Sequence, residues 1–338
     1  ARAFALLATT VAVATAVGPV IGGLLIQILG PDQGWRWMFL MNVPIGAIAI
    51  AGAFKFIPDD KARGKARPDL DPIGSLLLCI AILGVMLPFL ERGTSALVWL
   101  SFPAGIAVLG LWWWWEQRYK RAGRPPMVDT AIFSNKAFRN GILIVSVYFL
   151  GATSVWIIVP LYLQMHLGHT AFEASLMGLP SSIAAAFSSQ IAGRYVLTLG
   201  RRMVIIGFGV AFLGLLGTGI LAGFVENGMI AFWWLAAPLM LMGLSQGMTI
   251  SPNQTLTLNS VDPRFGGVAG GILQLGQRTG AAIGTAMIPG IIFSLTEGGH
   301  AWFEAFIIAI AIIMALTLAA MGVSFADRAR EKLGKGAL

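Results

Sequence analysis

ATAVGPVIGGLLIQILGPDQGWRWMFLMNVPIG, residues 14–46, is the stretch from which the rest of the chain is read. Ala14, Gly18 and Gly22 recur at every fourth position of an apolar run, so on a helix they form a strip without side-chain bulk, with Pro19 and Gly23 beside it. Lipid tails are as apolar as the side chains, so close backbone approach is what drives two helices together there, and a proline's missing N–H bends the helix. Spacing alone favours ordinary small-residue packing in a membrane bundle. A close-packed interface that moves is the sharper alternative.

Working outward, the whole chain is oily. Of its 338 residues 57% are hydrophobic and 11% charged, with a mean hydropathy of +0.79, where a soluble domain carries about a quarter charged residues. The net charge of +8 does not indicate nucleic-acid binding, because the basic residues fall in short bursts between long apolar runs. The single Cys79 lies inside an apolar run, which excludes an internal disulfide and a cysteine-based metal site.

A span needs about 20 apolar residues, and by that measure about ten are present. They fall near 3–29, 37–57, 72–90, 95–115, 138–160, 173–193, 203–223, 231–251, 266–293 and 302–325. Of the 23 Lys and Arg residues, Arg278 lies inside a span and only Arg36 and Arg92 fall on one set of alternate connections. The rest collect on the other set, which the positive-inside rule makes cytoplasmic together with the C-terminus. Residues 58–71, PDDKARGKARPDLD, read as a cytoplasmic linker rich in helix breakers. The four indoles Trp112 to Trp115 read as an aromatic belt at the membrane surface.

The wording of the opening stretch is more specific than its spacing. ATAVGPVIGG followed by GWRWMFLMNVPIG, with Trp35, Arg36, Trp37, Asn42 and Pro44, resembles the fifth-helix antiporter motif of the fourteen-helix drug:proton antiporters in the major facilitator superfamily. PLYLQ at 160–164 and residues 251–286 resemble the family's second half, closest to actinobacterial members, so the resemblance spans essentially the whole chain. It implies an all-α, polytopic major facilitator fold with about ten helices of an expected fourteen. The first helix here would be the family's fifth, making the chain a fragment. The implied organisation is 1–57 as the last two helices of the N-terminal bundle, 58–71 as linker and 72–115 as an inserted helix pair. After these come 116–137 as a cytoplasmic connection, 138–325 as a six-helix C-terminal bundle and 326–338 as a cytoplasmic tail. GRYVLTLGRR, with Gly193, Arg194, Gly200 and Arg201, is similar to the second-half copy of the family's glycine-arginine loop. Leu197 stands where the fuller motif has Asp, so an Asp–Arg latch is not expected from this copy, and Arg201 and Arg202 read as positive-inside anchors.

Polar residues inside spans are costly unless they face a cavity or another helix. Gln246, Thr249, Asn253 and Thr257 share one helical face, and Pro252 is expected to interrupt that helix; interhelical hydrogen bonding and cavity lining are equally good accounts. Tyr148 and Trp156 are further cavity candidates in an earlier span. GGVAGGILQLGQRTGAAIGTA is two-sided, with Gly276, Gly280 and Gly284 on one face, Gln274, Arg278 and Thr285 opposite and Gln277 between. A mid-span charge costs about 2.5–3.5 kcal/mol, so Arg278 is expected to face the central cavity and pair with an acid or an anionic substrate group. The visible spans supply no central carboxylate, which places the coupling acid on helices outside this chain. His166 and His169 read as solvated residues of an outer turn, with no carboxylate beside them, and no metal site is expected.

These readings together lead to a secondary transporter rather than an enzyme: proton-coupled export of lipophilic small molecules by alternating access, monomeric, in the bacterial cytoplasmic membrane. No GxxxxGK[ST] loop is present, so a transmembrane proton gradient and not a cofactor would supply the energy. An exporter of an amino acid, sugar or lipid on the same fold is the alternative, as is a truncated chain inactive by itself.

Overall fold

A computed structural model describes residues 2–56, 71–91, 96–124, 126, 128 and 130–335. Among them every regular element is helical. The α-helices are α1 (Arg2–Leu29), α2 (Pro31–Leu40), α3 (Asn42–Phe56), α4 (Pro72–Leu90), α5 (Ser101–Arg121) and α6 (Lys136–Leu161), then α7 (Ala171–Leu176), α8 (Gly178–Leu199), α9 (Arg201–Glu226), α10 (Ala236–Asn259), α11 (Gly266–Glu297) and α12 (Trp302–Lys335). Each expected span has a helix at its place. Six helical segments among the described residues are long and apolar enough to cross a membrane: Asp32–Phe56, Leu97–Arg121, Lys136–His166, Arg201–Glu226, Pro263–Glu297 and Trp302–Ala329.

Helices α8 and α10 fall below that hydropathy because serines, glutamines and glycines punctuate them, and the same small residues let them pack closely. A side chain on Gly243 would overlap the Ser181 carbonyl, and one on Gly247 the Ser188 hydroxyl. Five long helices, α6 and α9 to α12, share the main core, where Val155, Ile158, Leu215, Met242, Ile288 and Phe306 are buried, and α8 packs on α10. Helices α4 and α5 pair through Gly84 and Gly105, whose backbones come within van der Waals contact, and α4 leans on α11. Helix α1 lies on α7 and α8, and α2 folds back on α1 through Gly34, where a Cβ would sit 2.6 Å from Ile26 Cα.

Several sequence expectations need correcting. On α1, Ala14, Gly18 and Pro19 are exposed, and a Cβ on Gly18 would meet nothing within 4 Å. The close approach is made at the strip's last member and the glycine after it: Gly22 faces Met38 Sδ, and Gly23 lies against Ser175 and the backbone of Ala171 and Phe172 on α7. Helix α10 runs unbroken through Pro252, which is buried within it. Helices α5 and α12 continue past residues 115 and 325 to Arg121 and Lys335. Within these extensions Glu116 and Asp327 are buried, Glu116 accepting the Val128 N–H at 3.4 Å and Asp327 the Arg201 Nε–H at 2.6 Å. Residues 58–70 of the expected linker lie outside the described residues, whereas Asp71 is the N-cap of α4, its carboxylate accepting the Gly74 N–H at 3.0 Å.

Candidate functional site

The most strongly ordered polar group sits where α9 begins. Gly200 adopts φ 53°, a region open to glycine, and this turns the chain from α8 into α9 so that Arg201 points inward while Arg202 stays exposed. Arg201 is 4% exposed. Its Nε donates to Asp327 Oδ2 of α12 at 2.6 Å, Nη1 donates to Asn253 Oδ1, and Nη2 reaches Thr257 Oγ1 at 3.5 Å. Asn253 Nδ2 donates in turn to the Gly141 carbonyl at 3.0 Å, and Asn140 Nδ2 to Asp327 Oδ1 at 2.8 Å. A side chain on Gly141 would collide with Thr257, so the glycine is what lets α6 approach α10 here. This network ties α6, α9, α10 and α12 at one end of the bundle. It overturns the expectation that Arg201 is a surface anchor without an acid: Leu197 is exposed, and the carboxylate comes from the last helix.

Above the network, α10 presents a buried row of Ser245, Thr249, Asn253 and Thr257 at four-residue spacing. Gln246, assigned to this face from sequence, is half-buried, and Ser245 takes its place. Tyr148 of α6 is 2% exposed and packs its ring against Phe208 at 5.6 Å. Its hydroxyl, with those of Ser245 and Thr249, has no hydrogen-bond partner of ordinary geometry among the described residues. Three orphaned buried hydroxyls on two neighbouring helices are groups that a polar ligand atom or water would satisfy. Trp156, about two turns further along α6, is half-buried against the main core.

Helix α11 is two-sided as expected. Side chains on Gly280 and Gly284 would overlap the Ser146 and Leu150 carbonyls, and one on Gly276 would meet the Ser146 hydroxyl, so this face is pressed on α6. Gln274 and Arg278 are exposed and Gln277 and Thr285 half-buried, and Arg278 makes no hydrogen bond or ion pair among the described residues. In the opening motif, Trp35, Arg36 and Trp37 are exposed, with the Arg36 guanidinium 5.4 Å from the Trp35 ring centroid. Asn42 Nδ2 donates to the Met38 carbonyl at 3.0 Å across the break between α2 and α3, and Pro44 follows in the first turn of α3. Gly193 and Arg194 are exposed on α8.

The opposite end of the bundle corrects the reading of the histidines. Past Pro160 the chain makes a π turn, Tyr162–His166, which brings both of those rings to Glu226 at the end of α9. The Tyr162 hydroxyl donates to Glu226 Oε2 at 2.6 Å, and His166 Nε2 lies 2.9 Å from Oε1. His169 Nδ1 is 3.4 Å from Glu173, and His300 Nδ1 is 3.4 Å from Glu304. Each histidine therefore has a carboxylate beside it. The spacing of His169 and Glu173, and of His300 and Glu304, could have shown two of these pairs; Glu226 is too distant in sequence. Thr170 and Glu173 form a capping box on α7. The Thr170 N–H and hydroxyl, then His169, hold the Glu173 carboxyl below its ordinary range. A depressed carboxyl stabilises at pH above its unfolded value of about 4.3 and ceases to as pH falls through the folded one. Protection of the amides across Ala171–Leu176, expressed relative to their intrinsic exchange rates, is therefore expected to fall on acidification below about pH 4, and a Glu173→Gln variant to lose that fall; the same fall in both would refute the cap's role.

An all-helical bundle, apolar outside with a polar row through its interior, defines a polytopic α-helical membrane protein. The family model described as Major Facilitator Superfamily matches residues 1–285 and, overlapping, 141–337; the chain belongs to the Major Facilitator Superfamily. It is 28% identical over 299 residues to the probable actinorhodin transporter of Streptomyces coelicolor, covering 87% of this chain and 51% of that protein. It is 31% identical over 297 residues to the lincomycin resistance protein LmrB of Listeria innocua, covering 86% and 59%. With the multidrug resistance protein Stp of Mycobacterium tuberculosis the identity is 27% over 299 residues, covering 86% and 52%. The chain thus spans between about half and three-fifths of the length of these relatives. Among solved structures, an auto-inhibited POT family peptide transporter matches with a TM-score of 0.59 over 96% of this chain and 69% of that one at 14% identity, a likeness of fold.

Proposed function

We propose that this chain is the larger part of a secondary transporter that exports lipophilic small molecules, of the fourteen-helix drug:proton antiporter type, with its basic end and C-terminus in the cytoplasm. Relatives named for antibiotic and multidrug resistance support the substrate class. In this reading residues 1–57 complete an N-terminal bundle, residues 72–115 are the inserted pair, and residues 138–325 are the C-terminal bundle that rocks against the first. The observation that carries it is Arg278: its helix is clamped to α6 by three glycines, and it turns an unpaired guanidinium away from that contact at mid-span. Such a charge needs water, an acid or an anionic group of the cargo. The buried hydroxyls of Tyr148, Ser245 and Thr249 suit neutral polar atoms of the same cargo.

The test uses the full-length protein in proteoliposomes with an imposed pH gradient. Drug flux is expected to follow the gradient and to move protons. Arg278→Ala is expected to lower flux by on the order of tenfold or more while membrane insertion is unchanged, with Arg278→Lys retaining part of it. Normal flux in the alanine variant would remove Arg278 from the mechanism, and flux indifferent to the gradient would remove proton coupling.

A further inference from the structure

A cavity of about 560 Å³ opens between the start of α4 and the end of α5, lined by Asp71, Trp115, Arg118, Tyr119 and Arg124 among others. Each of its two arginines lies beside an aromatic ring. Arg118 holds its guanidinium carbon 5.4 Å from the Trp114 ring centroid, and Arg124 holds its own 5.5 Å from that of Tyr119. Both side chains are exposed, and neither has a hydrogen bond or ion pair among the described residues. A guanidinium stacked on a ring keeps its edge of N–H donors free, and that planar fork fits the paired oxygens of a phosphate.

The cavity wall also carries a carboxylate, that of the fully buried Asp71. Its oxygens accept the Gly74 N–H at 3.0 Å and the Trp115 Nε1–H at 3.1 and 3.2 Å. The exposed charged side chains lining the cavity among the described residues are the two guanidinium groups, and Arg121 on the same helix end is a further exposed cation. Depth along α5 points to the kind of phosphate. Trp113 and Trp114 are exposed, and exposed indoles mark the headgroup level of a bilayer. Arg118 lies four residues further out, about 6 Å at 1.5 Å per residue, where lipid phosphates sit.

We propose that this cavity is a binding site for the headgroup phosphate of an acidic phospholipid, gripped by Arg118 and Arg124 and bordered by Trp115 and Tyr119. The site rests on the membrane placement of α5 and the cytoplasmic assignment of its basic end, and it is independent of what the protein transports. An occupied site would fasten the α4–α5 pair, through its contact with α11, to the acidic leaflet.

Native mass spectrometry of the full-length protein, delipidated and exposed to an equal mixture of phosphatidylglycerol and phosphatidylcholine, tests this directly. Phosphatidylglycerol is expected to be retained in preference, and the Arg118→Gln/Arg124→Gln variant to lose that preference by on the order of tenfold. Arg118→Lys/Arg124→Lys is expected to fall between, since the charge remains and the fork does not. Arg264→Gln, which removes an 87% exposed arginine elsewhere at the same end, is expected to behave as wild type. Equal retention of the two lipids by wild type, or an undiminished preference in the glutamine variant, would overturn the site. Displacement of the lipid by millimolar inorganic phosphate would overturn the lipid as its occupant. Because the readout needs neither substrate nor gradient, its failure leaves drug export standing, and failed export leaves lipid retention unaffected.

Discussion

Asp327→Ala is expected to cost about 3–5 kcal/mol, the range found when one partner of a buried ion pair is removed and the other charge is left in place. Arg201 is the charge that would lose this carboxylate, buried at the junction of four helices where Asn253 and Thr257 supply neutral oxygens. Asn140 would lose its acceptor at the same time. The prediction separates the ion pair from the packing around it. Arg201→Met/Asp327→Leu, which removes both charges and keeps volume, is expected to recover most of the loss, because desolvating two ions offsets much of what their attraction contributes. Thermal unfolding of the purified protein in detergent measures both. If Asp327→Ala unfolds within a degree or two of wild type, the pair does not hold the four helices. If the double variant is as unstable as the single, packing rather than charge dominates.

Gly284→Ala is expected to destabilise by about 3 kcal/mol, the upper end of the overpacking range, because the added methyl meets a backbone carbonyl and not a side chain able to rotate away. Leu150 O occupies the space a Cβ would need, and Ser146 O does the same at Gly280, so the whole of α11 would have to move off α6. The same substitution at Gly271, on the same helix where a Cβ meets nothing within 4 Å, is expected to be neutral or to stabilise by up to about 1 kcal/mol through helix propensity. Opposite signs for one chemical change on one helix make contact geometry the only variable. A comparison of the two melting temperatures decides it, and equal shifts would mean that the α6–α11 contact is not close. In transport assays the Gly284 variant is expected to weaken flux along with stability, since Arg278 is aimed by the helix that this contact fixes.

The two predictions differ in how legible they were. Gly276, Gly280 and Gly284 announce a close-packed face through spacing alone, because four-residue periodicity on a helix is a local property, and the structure supplies α6 as the partner. The same rule located the contact on α1 only in part. Of the Ala14, Gly18 and Gly22 strip only Gly22 makes a tight approach, to Met38, and the contact with α7 is made at Gly23 beside it, because which side of α1 a neighbour meets is set by that neighbour's position and not by α1's period. The buried ion pair was the clearest miss: a motif copy without its aspartate reads as latchless, while the carboxylate that Arg201 uses lies 126 residues away. The acids beside the histidines divide in the same way, with Glu173 and Glu304 one helical turn off and Glu226 sixty residues from His166.

By itself the sequence determined that this is a polytopic helical membrane protein, where its helices fall, which of them carry polar faces and which face of α11 is bare backbone. These follow from transfer free energy and helical period, quantities that each segment expresses without reference to the others. Only the tertiary structure decided the partners: Asp327 for Arg201, Glu226 for His166, Ser245 in place of Gln246, and the cavity between α4 and α5. A long apolar segment must enter lipid whatever its neighbours are, whereas a buried charge or hydroxyl takes its partner from whichever helix the packing brings within about 3 Å, and chain order does not encode that distance.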